Sequence, residues 1–166
     1  MVRKRSTSSL IEVKGDIWEF HSEGNPIAVT TNPIINTRGK VVMGRGIAKE
    51  AATRFPRLPA ELAMKIQSNK TANRPHNIVY YFPEYNIFTF PTKHHWRYDS
   101  NTELIKHSYL RLRRLVAKLR KEKRLPSSLK VYIPRPGCGN GRLDWSTEVK
   151  PILENEVCKD IIVVYK

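Results

Sequence analysis

Apolar positions along the chain fall into short branched runs separated by helical stripes. Leu10–Val13 alternates as a short strand and leads into Gly15-Asp16-Ile17, while Ile27–Thr31 is an apolar, β-branched run of the kind buried in an α/β sheet. Asn32-Pro33 stops that run, and a loop with Gly39 and Gly44 follows. A helix predicted from about Gly46 carries Ile47, Ala48, Ala51 and Ala52 inward and stops before Pro56. A second, about Pro59–Ser68, buries Leu62, Ala63 and Ile66. Ile78–Phe82 and Ile87–Phe90 read as strands joined by a hairpin turn at Pro83-Glu84-Tyr85-Asn86. The longest predicted helix is Asn101–Lys121, where Leu104, Ile105, Tyr109, Leu112, Leu115, Val116 and Leu119 form one stripe. Lys130–Ile133, a helix of about Ser146–Glu156 and a buried strand at Ile161–Val164 complete the series. Strands alternating with helices predict a three-layer α/β/α sandwich.

The length of 166 residues fits one domain, 9–166, able to bury a core without staples. Residues 1–8 are basic and polar and read as a disordered tail. No apolar run approaches the roughly 18 residues of a membrane span, so the expectation is a soluble, cytoplasmic protein without membrane contact. Cys138 and Cys158 are the only cysteines, and reduced thiols are the default in such a compartment. No metal-ligand spacing is present, and the adjacent pair His94-His95 points two ways on either a helix or a strand; neither metal nor cofactor is expected. No coiled coil or self-association segment stands out, so a monomer is expected.

Thirty Lys and Arg against fifteen Asp and Glu give a formal charge of +15. Such a field attracts polyanions, without separating a nucleic-acid substrate from simple solubility. Part of it lies on the longest helix and the loop beyond it: Arg111, Arg113, Arg114, Lys118, Arg120, Lys121, Lys123 and Arg124. Cations there also complement the helix dipole. A solvated face and a nucleic-acid contact both remain open.

The chemistry concentrates in two glycine loops, Met43–Ala48 and Pro136–Gly141, each after a predicted strand and before a predicted helix. Ligands of open α/β sheets bind beyond the carboxyl ends of the strands. Glycines there let backbone N–H groups approach phosphate oxygens, and a helix N-terminus adds a positive dipole end. Neither loop matches a phosphate-loop or dinucleotide fingerprint. The residues alone support an anion-binding α/β domain, with plain turn formation as the alternative.

The order of the pieces adds more. Gly15-Asp16-Ile17, a buried strand ending in Asn32, Met43-Gly44-Arg45-Gly46-Ile47-Ala48 and finally Ile133–Trp145 (IPRPGCGNGRLDW) resemble the macrodomain family over nearly the whole chain. Members bind ADP-ribose in a cleft above a mixed sheet. Phe90-Pro91-Thr92-Lys93-His94-His95-Trp96-Arg97 resembles a stretch of the antitoxin macrodomains that remove ADP-ribose from thymidine in DNA, a branch close to those acting on protein carboxylates.

This resemblance implies an ADP-ribose site built from Asp16 and Ile17 at the adenine, Asn32 at the distal ribose, and Gly44, Arg45, Gly46, Ile47, Pro136, Gly137, Cys138, Gly139, Asn140 and Gly141 around the diphosphate. A carboxylate accepts from the adenine amino group, and an amide serves both partners of a diol. Asp16 as a turn cap and Asn32 as a turn former are the structural alternatives. The family's frequent second asparagine, three residues before Asn32, is Val29 here. Lys93 is implied as the catalytic residue, acting through a Schiff base or by electrostatic support, with His94, His95 and Arg97 as cations able to lower its pKa. Protein-directed relatives carry an acid where this chain has Gly141. Asp144 is expected to cap the following helix, and Trp145 to underlie the loop or pack in the core. Cys138 reads as small and buried. His94, His95, Trp96 and Arg97 are candidate nucleic-acid contacts, with Trp96 and Tyr98 able to stack on bases. The implied activity is hydrolysis of ADP-ribosyl linkages on an ADP-ribosylated macromolecule, nucleic acid favoured over protein. The alternatives are ADP-ribose-1''-phosphate phosphatase and a non-catalytic ADP-ribose reader.

Overall fold

The computed structural model describes residues 9–166, so the expected tail at 1–8 lies outside the described residues. Six strands form one sheet: β1 (Glu12–Lys14), β2 (Ile27–Thr31), β3 (Tyr81–Phe82), β4 (Ile87–Pro91), β5 (Val131–Pro134) and β6 (Ile161–Tyr165). Their spatial order is β1-β6-β5-β2-β4-β3, with β3 alone antiparallel to its neighbour, so the sheet is mixed. The helices are α1 (Ile17–Ser22), α2 (Gly46–Arg54), α3 (Leu58–Thr71), α4 (Thr102–Lys121) and α5 (Lys150–Glu154), the last preceded by a π-helical turn at Trp145–Val149.

Because strand side chains alternate between faces, the buried runs feed two cores. Ile27, Val29, Ile87 and Phe82 pack with Trp18, Ala51, Leu58, Leu62 and Ile66 beneath α1, α2 and α3. Ala28, Phe88, Phe90, Val131, Ile133, Ile161 and Val163 pack on the other face with Ile105, Tyr109, Leu112, Val116 and Leu119 of α4. The result is the expected three-layer sandwich. No described helix is long and apolar enough to cross a membrane.

Several elements differ from the sequence pattern for local reasons. Strand β3 begins only at Tyr81, because the Thr89 hydroxyl takes the Tyr80 N–H and the Tyr80 hydroxyl is held by His76 and Asn69. The hairpin turn at 83–86 is present, closed by Tyr85 N to Phe82 O and by Asn86 at φ 56°. Helix α4 starts one residue later than expected, since Asn101 is its cap and accepts from Leu104 N. The helix expected at 146–156 opens into the π turn, where Val149 N reaches Asp144 O and Lys150 N reaches Trp145 O. Pro151 has no N–H to continue an α-helical ladder at that point. The six-residue α1 shows no apolar period long enough to read.

Candidate functional site

Strands β1, β6, β5, β2 and β4 run parallel, so their carboxyl ends share one edge. Asp16 stands beyond β1, Pro136–Gly141 beyond β5, Asn32 and Met43–Ala48 beyond β2, and Lys93 beyond β4. Four inter-strand steps separate β1 from β4, about 19 Å. The β2 connection enters α2 on one face and the β4 connection enters α4 on the other, the switch in topology at which open α/β sheets place a ligand crevice.

The two glycine loops meet. A Cβ on Gly46 would stand 3.0 Å from the Asn140 amide, and Gly46 adopts φ 56°, a region that favours glycine. Gly44 and Gly139 face open space on their Cβ sides. The N-terminus of α2 has no side-chain cap and no acid in its first turn, so its leading N–H groups remain available to an anion. The helix beyond the second loop differs. Asp144 accepts from both the Thr147 N–H and its hydroxyl, which occupies that dipole end as the sequence predicted. Of the helices that follow the two glycine loops, α2 is the one that offers a free terminus to the crevice.

Gly141 is enclosed. A Cβ there would come within 2.1 Å of Ser100 Oγ and 2.5 Å of Gly137 O. The Ser100 N–H also donates to Gly141 O at 2.9 Å, so the loop after β4 is docked on the loop after β5. A side chain at 141 is excluded by this packing.

Lys93 bridges the loops, its Nζ donating to the Asn140 carbonyl at 3.2 Å, while Asn77 donates to the Lys93 carbonyl. Burial pushes the Lys93 amine below the ordinary lysine range; Asp99 opposes that shift, and the guanidinium groups of Arg142 and Arg45 reinforce it. The cations that act on Lys93 are therefore these two arginines, in place of the His94, His95 and Arg97 expected from the sequence. Arg142 and Asp99 were not legible as site residues. An arginine directly after a glycine loop was the only signal for the first, and loop register alone brings in the second.

Asp16 caps α1, accepting from Trp18 N at 2.9 Å, which leaves its second oxygen unpartnered among the described residues. Ile17 packs partly buried beside it. Asn32 is 9% exposed, donates to Val42 O and accepts from Ile34 N. Its amide thus braces the loop leading to Met43 and keeps one N–H in reserve. Pro136 and Gly137 are buried, and Gly137 adopts φ 78° with Ile105, Ser100 and Leu143 against it. Both cysteines are free thiols. Cys138, expected to be buried, is half-buried against the core, and desolvation raises its thiol to about 11, so it is a protonated packing group. Trp145 is buried and donates to Glu12 at 3.0 Å, which makes it a core residue.

Beyond Lys93 the chain builds an exposed aromatic cluster. His95 stacks on Trp96 with centroids 5.5 Å apart and leans on Tyr98 at 5.2 Å. The Arg97 guanidinium lies 4.9 Å from the Trp96 ring centroid, while Trp96 and Tyr98 are 41% and 67% exposed. His94 is exposed next to Lys93. The basic segment of α4 lies elsewhere. Arg120 bonds Leu129 O and Asp160 at the amino ends of β5 and β6, which puts the cationic end of α4 at the pole opposite the crevice.

No protein-family profile matches the chain. In structure it is similar to the macrodomain of Mycobacterium tuberculosis DarG, with a TM-score of 0.67 and 22% identity covering 95% of this chain and 97% of that one. Thermosipho africanus DarTG in complex with ADP-ribose gives a TM-score of 0.63 and 24% identity over 97% of this chain and 42% of that one. The chain therefore has the macrodomain fold. In sequence it is 33% identical over 135 residues, 76% of its length, to a Thermus aquaticus protein named DNA ADP-ribosyl glycohydrolase. It is 28% identical over 129 residues, 75% of its length, to the Mycobacterium tuberculosis protein of the same name. The matches take in 34% and 35% of those proteins, so the chain spans about a third of the length of the curated relatives it matches.

Proposed function

We propose that the chain binds ADP-ribose along the carboxyl edge of its sheet and hydrolyses the linkage between ADP-ribose and a nucleic-acid base, of the thymidine type in preference to protein. The adenine lies at Asp16 and Ile17, the diphosphate between Gly44–Ile47 and Gly137–Gly141, and the distal ribose at Asn32 and Lys93. The observation that carries the reading is Lys93, tied to Asn140 between the two loops with its amine made easier to deprotonate by burial. A neutral amine is the form that can attack a sugar carbon. Lys93 bonds to the anomeric carbon as the base departs with the electrons of its own bond and takes up a proton. Water then releases ADP-ribose and returns the amine.

Nucleic acid is favoured over protein by two features. Packing at position 141 admits only glycine, which is also the residue of the nucleic-acid-directed branch at that loop position. The His95-Trp96-Tyr98 cluster with Arg97, on the chain directly after Lys93, offers exposed stacking faces and a cation of the kind that bind unpaired bases. The relatives named DNA ADP-ribosyl glycohydrolase support the same choice.

The test is release of ADP-ribose from thymidine-ADP-ribosylated single-stranded DNA. Wild-type protein turns it over, and Lys93→Ala abolishes turnover while still binding ADP-ribose. Binding by wild type without release would leave a reader, and full activity of Lys93→Ala would remove the lysine from the chemistry.

A further inference from the structure

The second loop lacks a carboxylate, yet one stands against it from another part of the chain. The connection from β4 to α4 is closed at its base by Asn101 N to Thr92 O at 2.8 Å, and docked on the second loop by Ser100 N to Gly141 O at 2.9 Å. The residue immediately before Ser100 is Asp99. Its carboxylate lies 3.9 Å from Arg142, the residue immediately after Gly141, and both side chains are largely exposed. An exposed pair this long contributes little to stability, so folding does not account for the placement. Lys93, on the same connection as Asp99, meets the second loop one residue earlier, at Asn140 O. Among the described residues, Asp99 is also the one carboxylate acting on the Lys93 amine, against Arg142 and Arg45.

We propose that Asp99 supplies, from the β4–α4 connection, the carboxylate that Gly141 cannot carry, and that it serves as the general base for water in the second half of the reaction. This rests on the hydrolase reading above. In the first half, Lys93 Nζ bonds to the anomeric carbon as the base leaves with a proton from Nζ. The ribose ring then opens, its oxygen keeping the electrons of the broken C–O bond and taking a proton from solvent, so that Nζ and the carbon are joined as an iminium. In the second, a water oxygen bonds to that carbon and its proton passes to Asp99. Nζ takes that proton, the carbon–Nζ bond breaks with its electrons returning to nitrogen, and the new hydroxyl gives up its proton to Asp99 as the carbonyl forms and the ring recloses. No oxidant or reductant is consumed. Arg142 orients the carboxylate and leaves when substrate needs it, which a long exposed pair permits.

The test uses the full chain with Asp99→Asn and Asp99→Glu on thymidine-ADP-ribosylated single-stranded DNA, with cyanoborohydride trapping of any Lys93 adduct followed by mass spectrometry. Loss of a general base predicts a kcat roughly a hundred-fold lower in Asp99→Asn with KM nearly unchanged. The trapped adduct should rise above wild type, and Asp99→Glu or added formate should recover part of kcat. ADP-ribose affinity and Tm should match wild type. If wild type releases ADP-ribose and Asp99→Asn keeps its kcat, or changes KM alone, Asp99 is overturned and the hydrolase reading stands. If wild type releases nothing, that reading falls and this one falls with it.

Discussion

At position 141 a side chain has no space to enter, because Ser100 Oγ and the Gly137 carbonyl already occupy it. Two glycines of the same loop therefore make opposite predictions. Gly141→Ala must displace backbone, and overpacking of this kind destabilises by roughly 1–3 kcal/mol; ADP-ribose affinity should fall with it, since the loop proposed to cradle the diphosphate would be deformed. Gly139→Ala meets nothing within 4 Å and should melt with the wild type. Paired thermal melts with and without ADP-ribose check both, and equal Tm values for the two variants would contradict the packing argument. The glycines were legible because glycine punctuation after a strand leaves a mark in sequence, whereas Lys93 was singled out only by the resemblance of Phe90–Arg97 to the macrodomain stretch. Asp99 and Arg142 were not, since nothing local indicates that the chain after β4 folds back onto the chain after β5.

Helix α4 links the two ends of the sandwich. Its N-terminus follows directly from the connection that carries Lys93 and Asp99, and its C-terminus is tied to the amino ends of β5 and β6 through Arg120 and Asp160. Its apolar stripe was legible except at two positions, since Leu115 is only partly buried and the buried Ser108, bonded to Pro91 O, leaves no mark in an apolar pattern. The π turn was obscured by an ordinary helical pattern, although Pro151 inside that pattern was a clue. Hydrogen bonding to Arg120 outweighs burial and, with Lys130, holds the Asp160 carboxyl below the usual aspartate range. A carboxyl lowered by folding contributes stability that is present above its unfolded pKa and lost as pH falls through its folded one. Wild-type protein should therefore lose stability on acidification through this range, and Asp160→Asn should be less stable at neutral pH with a shallower acid dependence. Denaturant melts across pH decide it, and parallel curves for the two proteins would contradict the tie.

At the scale of the whole molecule, two of the basic groups among the described residues lie at opposite poles, one at the crevice and one at the far end of α4. Arg45 and Arg142 act on Lys93 by the two glycine loops, where the anionic ligand is proposed to bind, while Arg114, Lys118, Lys121 and Arg124 lie toward the opposite pole. The layer order and the position of the crevice followed from alternating strands and helices. The separation of the two basic regions did not, because it depends on α4 running back along the sheet. The most direct test of the central claim is a crystal structure of the protein with ADP-ribose. The expected arrangement has adenine at Asp16, the diphosphate between Gly44–Ile47 and Gly137–Gly141, and the anomeric carbon of the distal ribose next to Lys93 Nζ. A ligand bound away from these loops, or one whose distal ribose points away from Lys93, would contradict it.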